Sequence, residues 1–464
     1  MTMTEVSQVY VGYLVESRKD WSLNIEQGVL VIQQNRIVFR AKVSELEYVL
    51  EKYNVARNDV TVLSSSQFLM PGLIDTHIHA SQFPNAGLAL ELPLLDWLEK
   101  YTFPTEAKFS RPEFSVEVYN RCVRATLDSG TTTAAYFATI HRESSEILAK
   151  VCLQLGQRAF VGKVCMDRNS PDYYVEKTEE SLAETQAFVN KISELGGSLV
   201  NPIITPRFVP SCSRLLMSEL GRIAKEKNLH IQTHLSENKK EVEWVRELES
   251  DCQTYAQVYE KCGLLTRKTI LAHAVHLSDQ ELETIREYNS GVSHCPNSNF
   301  SLKSGVCDVR RMKNKGVKVG LGTDCSGGYS SSIINSMRLS VLASNSIKLS
   351  KELGLGEGAG EGEGEGEGEG SEYIPLDYAD SVYLATLGGA QLLDMEENLG
   401  SLEPGKLADF LLVDMQGKRE TTPFGHESIQ NFVHKFVFLG DDRNIVLVVV
   451  DGKIVKDIRN MQNI

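Results

Sequence analysis

The pattern of hydrophobic and polar positions changes twice along the chain. Near the N-terminus, short alternating or β-branched runs predict strands at residues 8–15, 28–33 and 36–40, and residues 44–53 fit a helix. From residue 71 onward, apolar runs typical of buried strands recur between amphipathic stretches. Short strand-like runs return at residues 410–413, 445–450 and 453–455. The pattern predicts a central α/β region between two β-rich ends.

The central region contains a repeated unit of strand and helix. Its candidate strands are residues 73–80, 132–139, 159–166, 201–208, 230–235, 269–273, 291–295 and 317–323. Amphipathic stretches such as 178–195, 214–228 and 239–248 lie between them. Eight such units favour a (β/α)8 TIM-type barrel over an open sheet. In such barrels the active site lies at the carboxyl ends of the strands, so functional residues are expected there.

These patterns divide the chain into three segments. We expect residues 1–70 and 396–464 to form the two parts of a small β-sandwich domain, and residues 71–395 to form the catalytic barrel. Periodicity alone does not show that the two ends pair. Residues 356–370 read GEGAGEGEGEGEGEG. Because such a run repels itself and buries no apolar surface, we expect a disordered insertion in a loop.

Composition and charge narrow the class of protein. The formal net charge is -14, which argues against nucleic-acid or anionic-membrane partners, although six of the glutamates lie in the Gly/Glu run. The nine cysteines form no CxxC pair, which suits free thiols in a reducing compartment. The sequence shows no secretory signal pattern and no apolar run near the ~20 residues of a membrane span. We therefore expect a cytoplasmic protein.

Polar residues with metal-binding chemistry lie at the ends of the candidate strands. The first strand, within PGLIDTHIHA at 71–80, carries His77 and His79 on one face, because strand side chains alternate. Two such histidines alone fit a metal site and an ordinary sheet face equally well. The ends of later strands add Arg207, His234, His273, His294 and Asp324. Imidazoles together with a carboxylate predict a catalytic divalent metal site, with zinc favoured by the nitrogen-rich set.

Other catalytic motifs are absent from the sequence. It contains no HExxH, no PCxxC after an HxE, no Walker A pattern and no GxSxG. The glycines of GLGTDCSGG lack the lysine of a phosphate-binding loop. Cys295 and Cys325 lie near the expected site, but a metal-activated water makes a cysteine nucleophile unnecessary.

Motifs along most of the chain carry a family resemblance. They read PGLIDTHIHASQ, LLDWLEKYTFP, GTTTAAYFATI, GQRAFVGKVCMD, TPRF, QTHLSEN, AHAVHLS, SHCPNSN, KVGLGTDCSGG, TLGGAQ, EPGKLADF and LGDDRN. This set resembles the amidohydrolase superfamily of metal-dependent hydrolases. Within the superfamily, LLDWLEKYTFP and LGDDRN resemble the guanine deaminases. The Gly/Glu run departs from that family.

The resemblance implies a specific set of site residues. It implies one Zn²⁺ per chain, held by His77, His79, His234 and Asp324. It implies catalytic roles for Glu237, His273 and Asp324. The implied substrate contacts are His79, Ala80, Ser81, Gln82, Arg207, Phe208, His234, Glu237 and Asp324. The family resemblance also suggests a homodimer.

The implied reaction is the hydrolysis of guanine to xanthine and ammonia. In this hypothesis Asp324 and His273 orient and deprotonate the attacking water, and Glu237 carries protons to a ring nitrogen and to the departing ammonia. The alternative for Glu237 is a solvated carboxylate at the start of a helix. His294 contacts either the substrate or the residues behind it, and His276 is expected in a loop.

Several pocket residues have two interpretations. Arg207 matches the paired acceptors O6 and N7 of guanine, or it forms an ion pair with a loop carboxylate. Phe208 stacks on the purine or belongs to the core. Gln82 can donate and accept, as an amide-like ring edge requires. Trp97 anchors its loop in the core or covers the pocket.

Two other functions compete with guanine deamination. One is a related zinc aminohydrolase acting on an oxidised purine or a triazine-like ring, which the guanine deaminase segments disfavour. The other is a catalytically inactive barrel that serves as a scaffold. Because the full set of candidate metal ligands is present, the sequence disfavours the scaffold as well.

Overall fold

The described residues form a barrel and a separate sheet. The computed structural model describes residues 7–195, 197–354, 372–416 and 421–459. The predicted insertion at 356–370 lies outside these ranges. Among the described residues, no helix combines the length and apolar composition needed to cross a membrane.

Eight parallel strand positions form a nearly closed barrel in chain order. They are Leu73–His79, Thr131–Phe137, Arg158–Gly162 continued by Val164–Cys165, Val200–Pro206, His230–Leu235, Thr269–His273, Gly291–His294 and Lys318–Leu321. Each strand pairs with the next in parallel. Nearly all of their residues are buried, as expected for parallel strands covered on both faces. The predicted (β/α)8 barrel is confirmed.

Side chains and backbone join the first and last barrel strands at the mouth. The Thr76 hydroxyl donates to the Leu321 carbonyl oxygen at 2.9 Å, and the Asp324 amide donates to the His77 carbonyl oxygen at 2.9 Å. On the same strand, a Cβ on Gly320 would lie 2.9 Å from Thr76 Cγ2 and 3.0 Å from the Cα of Gly389, so the close approach of the first strand and of the helical segment behind requires this small residue.

Amphipathic helices surround the barrel. They are Leu94–Trp97, Phe103–Glu106, Pro112–Asp128, Arg142–Leu155, Thr178–Glu194, Arg214–Lys227, Lys239–Leu248, Tyr255–Lys261, Asp279–Glu287, Pro296–Ser301, Val309–Asn314, Ile333–Glu352, Tyr378–Tyr383, Gly389–Leu392 and Ile429–Leu439. A further helix, Leu46–Tyr53, packs on the separate sheet. The helix Arg214–Lys227 illustrates their construction. The Ser213 hydroxyl caps its first turn, Leu216 and Leu220 face the core, and Asn228 ends it in the left-handed region.

Both ends of the described chain contribute to one mixed sheet. In spatial order its strands are Lys453–Asp457, Ile445–Val450, Phe410–Asp414, Gln67–Pro71, Ser7–Ser17, Leu23–Gln33 and Arg36–Lys42, with Val60–Val62 beside Ser7–Ser17. The central strand Gln67–Pro71 pairs with Ser7–Ser17 on one side and with Phe410–Asp414 on the other. The expected small β domain built from both chain ends is confirmed.

A buried ion pair connects this sheet with the barrel. Arg158, at the start of the third barrel strand, donates to both carboxylate oxygens of Asp409, with Nε and Nη2 at 2.8 and 3.0 Å. Its Nη2 also donates to Asp451 Oδ1 at 3.2 Å. The Arg158 side chain is 1% exposed, so its charge depends on these carboxylates.

The structure adds two features to the sequence prediction. The helix Ile429–Leu439 lies in a region read as β-rich, and its Ser428 and Asn431 form a capping box. A wider turn, Leu384–Gly388, separates the helices Tyr378–Tyr383 and Gly389–Leu392, and a Cβ on Gly388 would lie 2.6 Å from the Val319 carbonyl oxygen. Close contact with the last barrel strand accounts for this irregular turn.

Candidate active site

Five buried side chains with metal-binding chemistry converge at the barrel mouth. They are His77, His79, His234, His273 and Asp324, each at or just beyond the carboxyl end of its strand. Their donor atoms form two groups that share His77. One group is His77, His234 and His273, and the other is His77, His79 and Asp324. The residues that sequence analysis selected from four different strands therefore lie together.

The spacing of these donor atoms suits a metal ion. His77 Nε2 and His79 Nε2 lie 3.2 and 3.6 Å from Asp324 Oδ1. His79 Nε2 lies 3.1 Å from His234 Nε2. Ligands at about 2.0–2.2 Å from a tetrahedral zinc ion are about 3.3–3.6 Å apart, so these separations match. In addition, neither ring nitrogen of His77 has a hydrogen-bond partner among the described residues.

Hydrogen bonds behind the donor atoms fix their orientation. His234 Nδ1 donates to the Arg207 carbonyl oxygen at 2.7 Å, which leaves the Nε2 lone pair directed at the cluster. The Asp75 carboxylate accepts from the His77 amide at 3.2 Å and from the Thr323 hydroxyl at 2.5 Å. Asp75 therefore holds the two strands that carry His77 and Asp324 in register.

Burial and charge favour the protonation states that bind metals. Burial lowers the pKa of His79 and His234 well below the usual value, and the neighbouring His77 lowers both further. Neutral imidazole is the form that binds a metal. Burial opposes ionisation of Asp324, but the close approach of His77 Nε2 and the charge of His273 bring its pKa below the usual range.

Glu237 and His273 form a second pair beside the cluster. Glu237 Oε2 lies 3.5 Å from His273 Nε2, and Asp324 Oδ2 lies 3.7 Å from the same nitrogen. Burial raises the pKa of Glu237 to about 7, although His273 acts in the opposite direction. Burial acts to lower the pKa of His273, but Glu237 and Asp324 together raise it. A carboxyl group with this pKa can accept and release a proton at neutral pH.

The backbone at this end of the barrel is unusual. His273 has a φ of 70° and Asp324 a φ of 44°, both in the left-handed region that non-glycine residues rarely adopt. Such conformations cost about 1–3 kcal/mol each and concentrate at functional sites. The surrounding hydrogen bonds, including the bond of about 3.0 Å between His273 Nδ1 and Asn299 Oδ1, hold His273 in place.

A cleft opens beside the cluster. It encloses about 380 Å³ of atom-free space, part of which is open to solvent. The lining residues are His79, Gln82, Leu94, Trp97, Leu98, Arg207, Phe208, His234, Glu237, Leu302 and Asp324. One wall is therefore apolar, and the opposite side carries the metal-binding and polar groups. Such a combination is typical of a small-molecule site.

The polar part of the cleft contains Arg207, which is also paired with a carboxylate. Arg207 Nη1 donates to Glu106 Oε2 at 2.7 Å. Both interpretations of Arg207 from the sequence therefore apply, since it lines the cleft and makes an ion pair. Phe208 is 7% exposed and lies edge-on to His234, with ring centroids 6.4 Å apart. Trp97 also lines the cleft, as the covering interpretation requires.

Other predicted residues lie outside the lining of the cleft. Ala80 and Ser81 are fully buried, and the Ser81 hydroxyl donates to the Ala138 carbonyl oxygen at 3.0 Å. His294 is buried, and its ring nitrogens have no hydrogen-bond partner among the described residues. Burial and the nearby His273 lower the pKa of His294 to about 3. His276 contacts the Ser304 carbonyl oxygen through Nε2 at 2.7 Å, in a loop as expected.

Sequence analysis missed two buried carboxylates, Glu106 and Asp75. Asp75 lies within the conspicuous segment PGLIDTHIHA, but its side chain acts through backbone amides that no motif shows. Glu106 follows LLDWLEKYTFP and contacts Arg207 across 101 positions of sequence. The sequence contained only an indirect sign of Glu106, because one interpretation of Arg207 was an ion pair with an unspecified loop carboxylate.

Comparisons with known proteins identify the family of this chain. The Amidohydrolase family model matches residues 68–455. The chain belongs to the amidohydrolase family. Among curated relatives within this family, human guanine deaminase is 43% identical over 97% of both chains. The Escherichia coli guanine deaminase is 32% identical over 93% of this chain and 91% of its own.

Solved structures of amidohydrolases share the whole fold. The crystal structure of a guanine deaminase from C. acetobutylicum, with guanine bound in its active site, superposes with a TM-score of 0.86 and 32% identity. The match covers 97% of this chain and 100% of that one. The expected membership of this family, the resemblance to guanine deaminases and the assignment as a hydrolytic enzyme are confirmed.

Proposed function

We propose that this protein is a zinc-dependent enzyme that hydrolyses guanine to xanthine and ammonia. The observation that carries the proposal is a single cleft that Arg207 and Gln82 line together with His79, His234 and Asp324 of the candidate metal cluster. The match to a guanine-bound relative over nearly the whole chain supports the choice of substrate. Within the cleft, the carbon that carries the exocyclic amine would face the cluster.

The metal is assigned from the chemistry of its ligands. His77, His79, His234 and Asp324 would hold one Zn²⁺ per chain, because three neutral imidazoles and a carboxylate favour zinc over harder cations. When bound, the ion lowers the pKa of a coordinated water to about 7, which supplies a nucleophile at neutral pH. The same donor set leaves His273 free to act on that water.

The remaining polar groups divide the proton transfers between them. His273 Nε2 and Asp324 Oδ2 orient the attacking water and accept its hydrogen bonds. As the C–O bond forms, Glu237 takes up one proton that the attacking water loses and delivers it to a ring nitrogen of guanine. It then carries the second proton of that water to the amino group, which leaves as ammonia when the C–N bond breaks. A pKa near 7 suits both halves of this task, because the group is readily protonated and deprotonated at neutral pH.

The cleft would hold guanine through its oxo edge and its faces. Arg207 donates to O6 and N7, and Gln82 faces the neighbouring amide-like edge. Phe208 offers an aromatic surface to the ring, while Leu94, Trp97 and Leu98 exclude water. Ala80 and Ser81 directly precede Gln82 in the chain, and we propose that they also contact the substrate.

A substrate panel tests the proposed activity. Guanine, 8-oxoguanine, adenine and melamine are incubated with the purified protein, and ammonia release is measured. We expect guanine to have the highest kcat/KM. Faster turnover of 8-oxoguanine or melamine would instead identify the related aminohydrolase. Absence of ammonia from every compound, in protein shown to contain metal, would contradict the assignment.

We also propose that the protein acts in the cytoplasm as a homodimer, with residues 1–70 and 396–464 as one domain and 71–395 as the other. The family resemblance and the free cysteines, eight of which are buried, support this proposal. Light scattering on the eluting protein tests the assembly, since a monomer mass would contradict the dimer. Fractionation of cells that express the chain tests its location.

A further inference from the structure

Glu106 lies behind the cleft and has no role in the proposed mechanism, yet its carboxylate accepts four hydrogen bonds. It is fully buried at the end of the helix Phe103–Glu106. Its carboxylate accepts from Arg207 Nη1 at 2.7 Å, Arg207 Nη2 at 3.3 Å, Gln82 Nε2 at 2.9 Å and the Tyr174 hydroxyl at 2.8 Å. One carboxylate therefore bonds both of the polar residues that face the substrate.

This contact fixes the orientation of the Gln82 amide. A carboxylate accepts hydrogen bonds and cannot donate them, so the amide nitrogen of Gln82 must point toward Glu106. The amide oxygen then points the other way, where the Ser326 amide donates to it at 3.5 Å. A carbonyl oxygen has two lone pairs, and this long bond occupies one of them. The second lone pair is available to a donor on the ligand.

The same carboxylate limits how Arg207 can bind a ligand. Glu106 uses two of the five N–H donors of the guanidinium group, and the Phe103 ring lies below it with the Arg207 Cζ 5.2 Å from the ring centroid. The remaining donors are held in a fixed plane. Because Glu106 also neutralises the charge, the site is matched to a neutral ligand rather than an anion.

We propose that Glu106 is a positioning residue that sets which polar groups the cleft donates and accepts. It holds Arg207 as a donor toward an oxo group and Gln82 as an acceptor toward a neighbouring ring N–H. A 6-oxopurine presents this pair, with O6 as acceptor and N1–H as donor. A 6-aminopurine presents the reverse pair. The inference rests on the proposed function and assigns to Glu106 the choice between these two classes of base.

The test compares two variants of Glu106 with a matched control. Glu106→Gln keeps the shape but removes the charge, and Glu106→Asp keeps the charge on a shorter side chain. The control is Glu249→Gln, which alters another buried glutamate that pairs with arginines, Arg168 and Arg214, outside the cleft. For each protein we measure KM and kcat for guanine, inhibition constants for hypoxanthine and adenine, zinc content and circular dichroism.

We expect Glu106→Gln to raise KM for guanine about tenfold or more, with a much smaller change in kcat and unchanged zinc content. The preference for hypoxanthine over adenine should fall about tenfold, because the Gln82 amide is then free to rotate. Glu106→Asp should recover part of this preference. Glu249→Gln should leave KM and the preference within about twofold of wild type, since it does not contact the cleft.

Each outcome has a distinct meaning. Folded, zinc-loaded Glu106→Gln with unchanged KM and unchanged base preference would overturn the role of Glu106. If Glu106→Gln does not fold, Glu106→Asp decides, and an unchanged preference in that variant overturns the proposal. Wild-type protein that makes no xanthine from guanine would instead contradict the proposed function.

Discussion

At the scale of single residues, the candidate chemistry depends on buried groups whose charge is set by their neighbours. His79 and His234 are neutral because burial disfavours their protonation. Burial raises the pKa of Glu237 to about 7, and the neighbouring His273 acts in the opposite direction. The site therefore combines neutral imidazoles, the form that can bind a metal, with a carboxyl group that can exchange protons at neutral pH.

Replacing Glu237 tests its proposed role in proton transfer. Glu237→Gln should lower kcat for guanine about 100-fold or more, because the amide cannot accept and release the proton. Zinc content should not change. Glu243→Gln, an exposed position on the helix Lys239–Leu248, serves as the control and should keep full activity. Steady-state kinetics together with metal analysis check this result, and near-normal kcat in zinc-loaded Glu237→Gln would rule out the role.

Replacing Arg207 tests substrate recognition. Arg207→Lys should raise KM for guanine about tenfold or more, because a lysine ammonium cannot reproduce the planar fork of a guanidinium. The exposed Arg222→Lys provides a control with the same change of side chain, and we expect it to behave as wild type. Initial rates over a range of guanine concentrations give KM. If both variants gave the wild-type value, Arg207 would have no part in binding the base.

At the scale of secondary structure elements, the strands were predictable and several contacts between elements were not. Each of the eight predicted barrel strands overlaps an observed strand, because buried parallel strands appear in sequence as apolar runs. Their polar ends gave His77, His234 and Asp324. The Glu106 contact joins positions 101 residues apart, and no local pattern encodes such a distance. The helix Ile429–Leu439 was missed because its apolar residues follow a region of strand-like runs.

The segment at residues 80–110 illustrates this limit. It supplies Gln82, the apolar wall of the cleft and Glu106, but its short helices lack the length that makes periodicity readable. The Lys303 ammonium donates to the carbonyl oxygens of Leu90 and Glu91 at 3.1 and 3.0 Å, which ties the segment to the loop after the seventh strand. The position of the apolar wall thus depends on a contact between two loops.

Removing this lysine should loosen the wall of the cleft. We expect Lys303→Ala to raise KM for guanine about three- to tenfold, since two charge-assisted hydrogen bonds to the segment are lost. Zinc content should remain that of wild type. Hydrogen exchange at residues 86–98 should become faster, whereas Lys315→Ala, an exposed lysine elsewhere, should change neither quantity. Unchanged exchange and unchanged KM in Lys303→Ala would show that this contact does not hold the wall.

At the scale of the whole molecule, the barrel is joined to a sheet that both chain ends complete. The strand Gln67–Pro71 leads directly into the first barrel strand, Leu73–His79, which carries two of the candidate ligands. Arg158 connects the far side of the barrel to Asp409 and Asp451 of the small domain. The sequence indicated that both ends were β-rich, but only long-range contacts showed that they pair.

The buried ion pair makes the stability of the whole chain sensitive to one carboxylate. Asp409→Asn should lower the free energy of unfolding by about 3 kcal/mol, because it leaves the buried Arg158 guanidinium without its main partner. Asp451→Asn should cost about 1 kcal/mol or less, since Asp451 is more exposed. The thermal midpoints of the two variants, measured side by side, check this order. If both variants kept the wild-type midpoint, the stability of the chain would not depend on this pair.

The most direct test of the central claim is the metal-dependent conversion of guanine to xanthine, followed by ultraviolet absorbance. The purified chain should contain about one zinc per protein and convert guanine, lose activity on treatment with a chelator, and regain it when Zn²⁺ is added. The variants His77→Ala and Asp324→Ala should have no guanine deaminase activity even after Zn²⁺ is added. Full guanine turnover by protein shown to be free of metal, or zinc-loaded protein that produces no xanthine, would contradict the account.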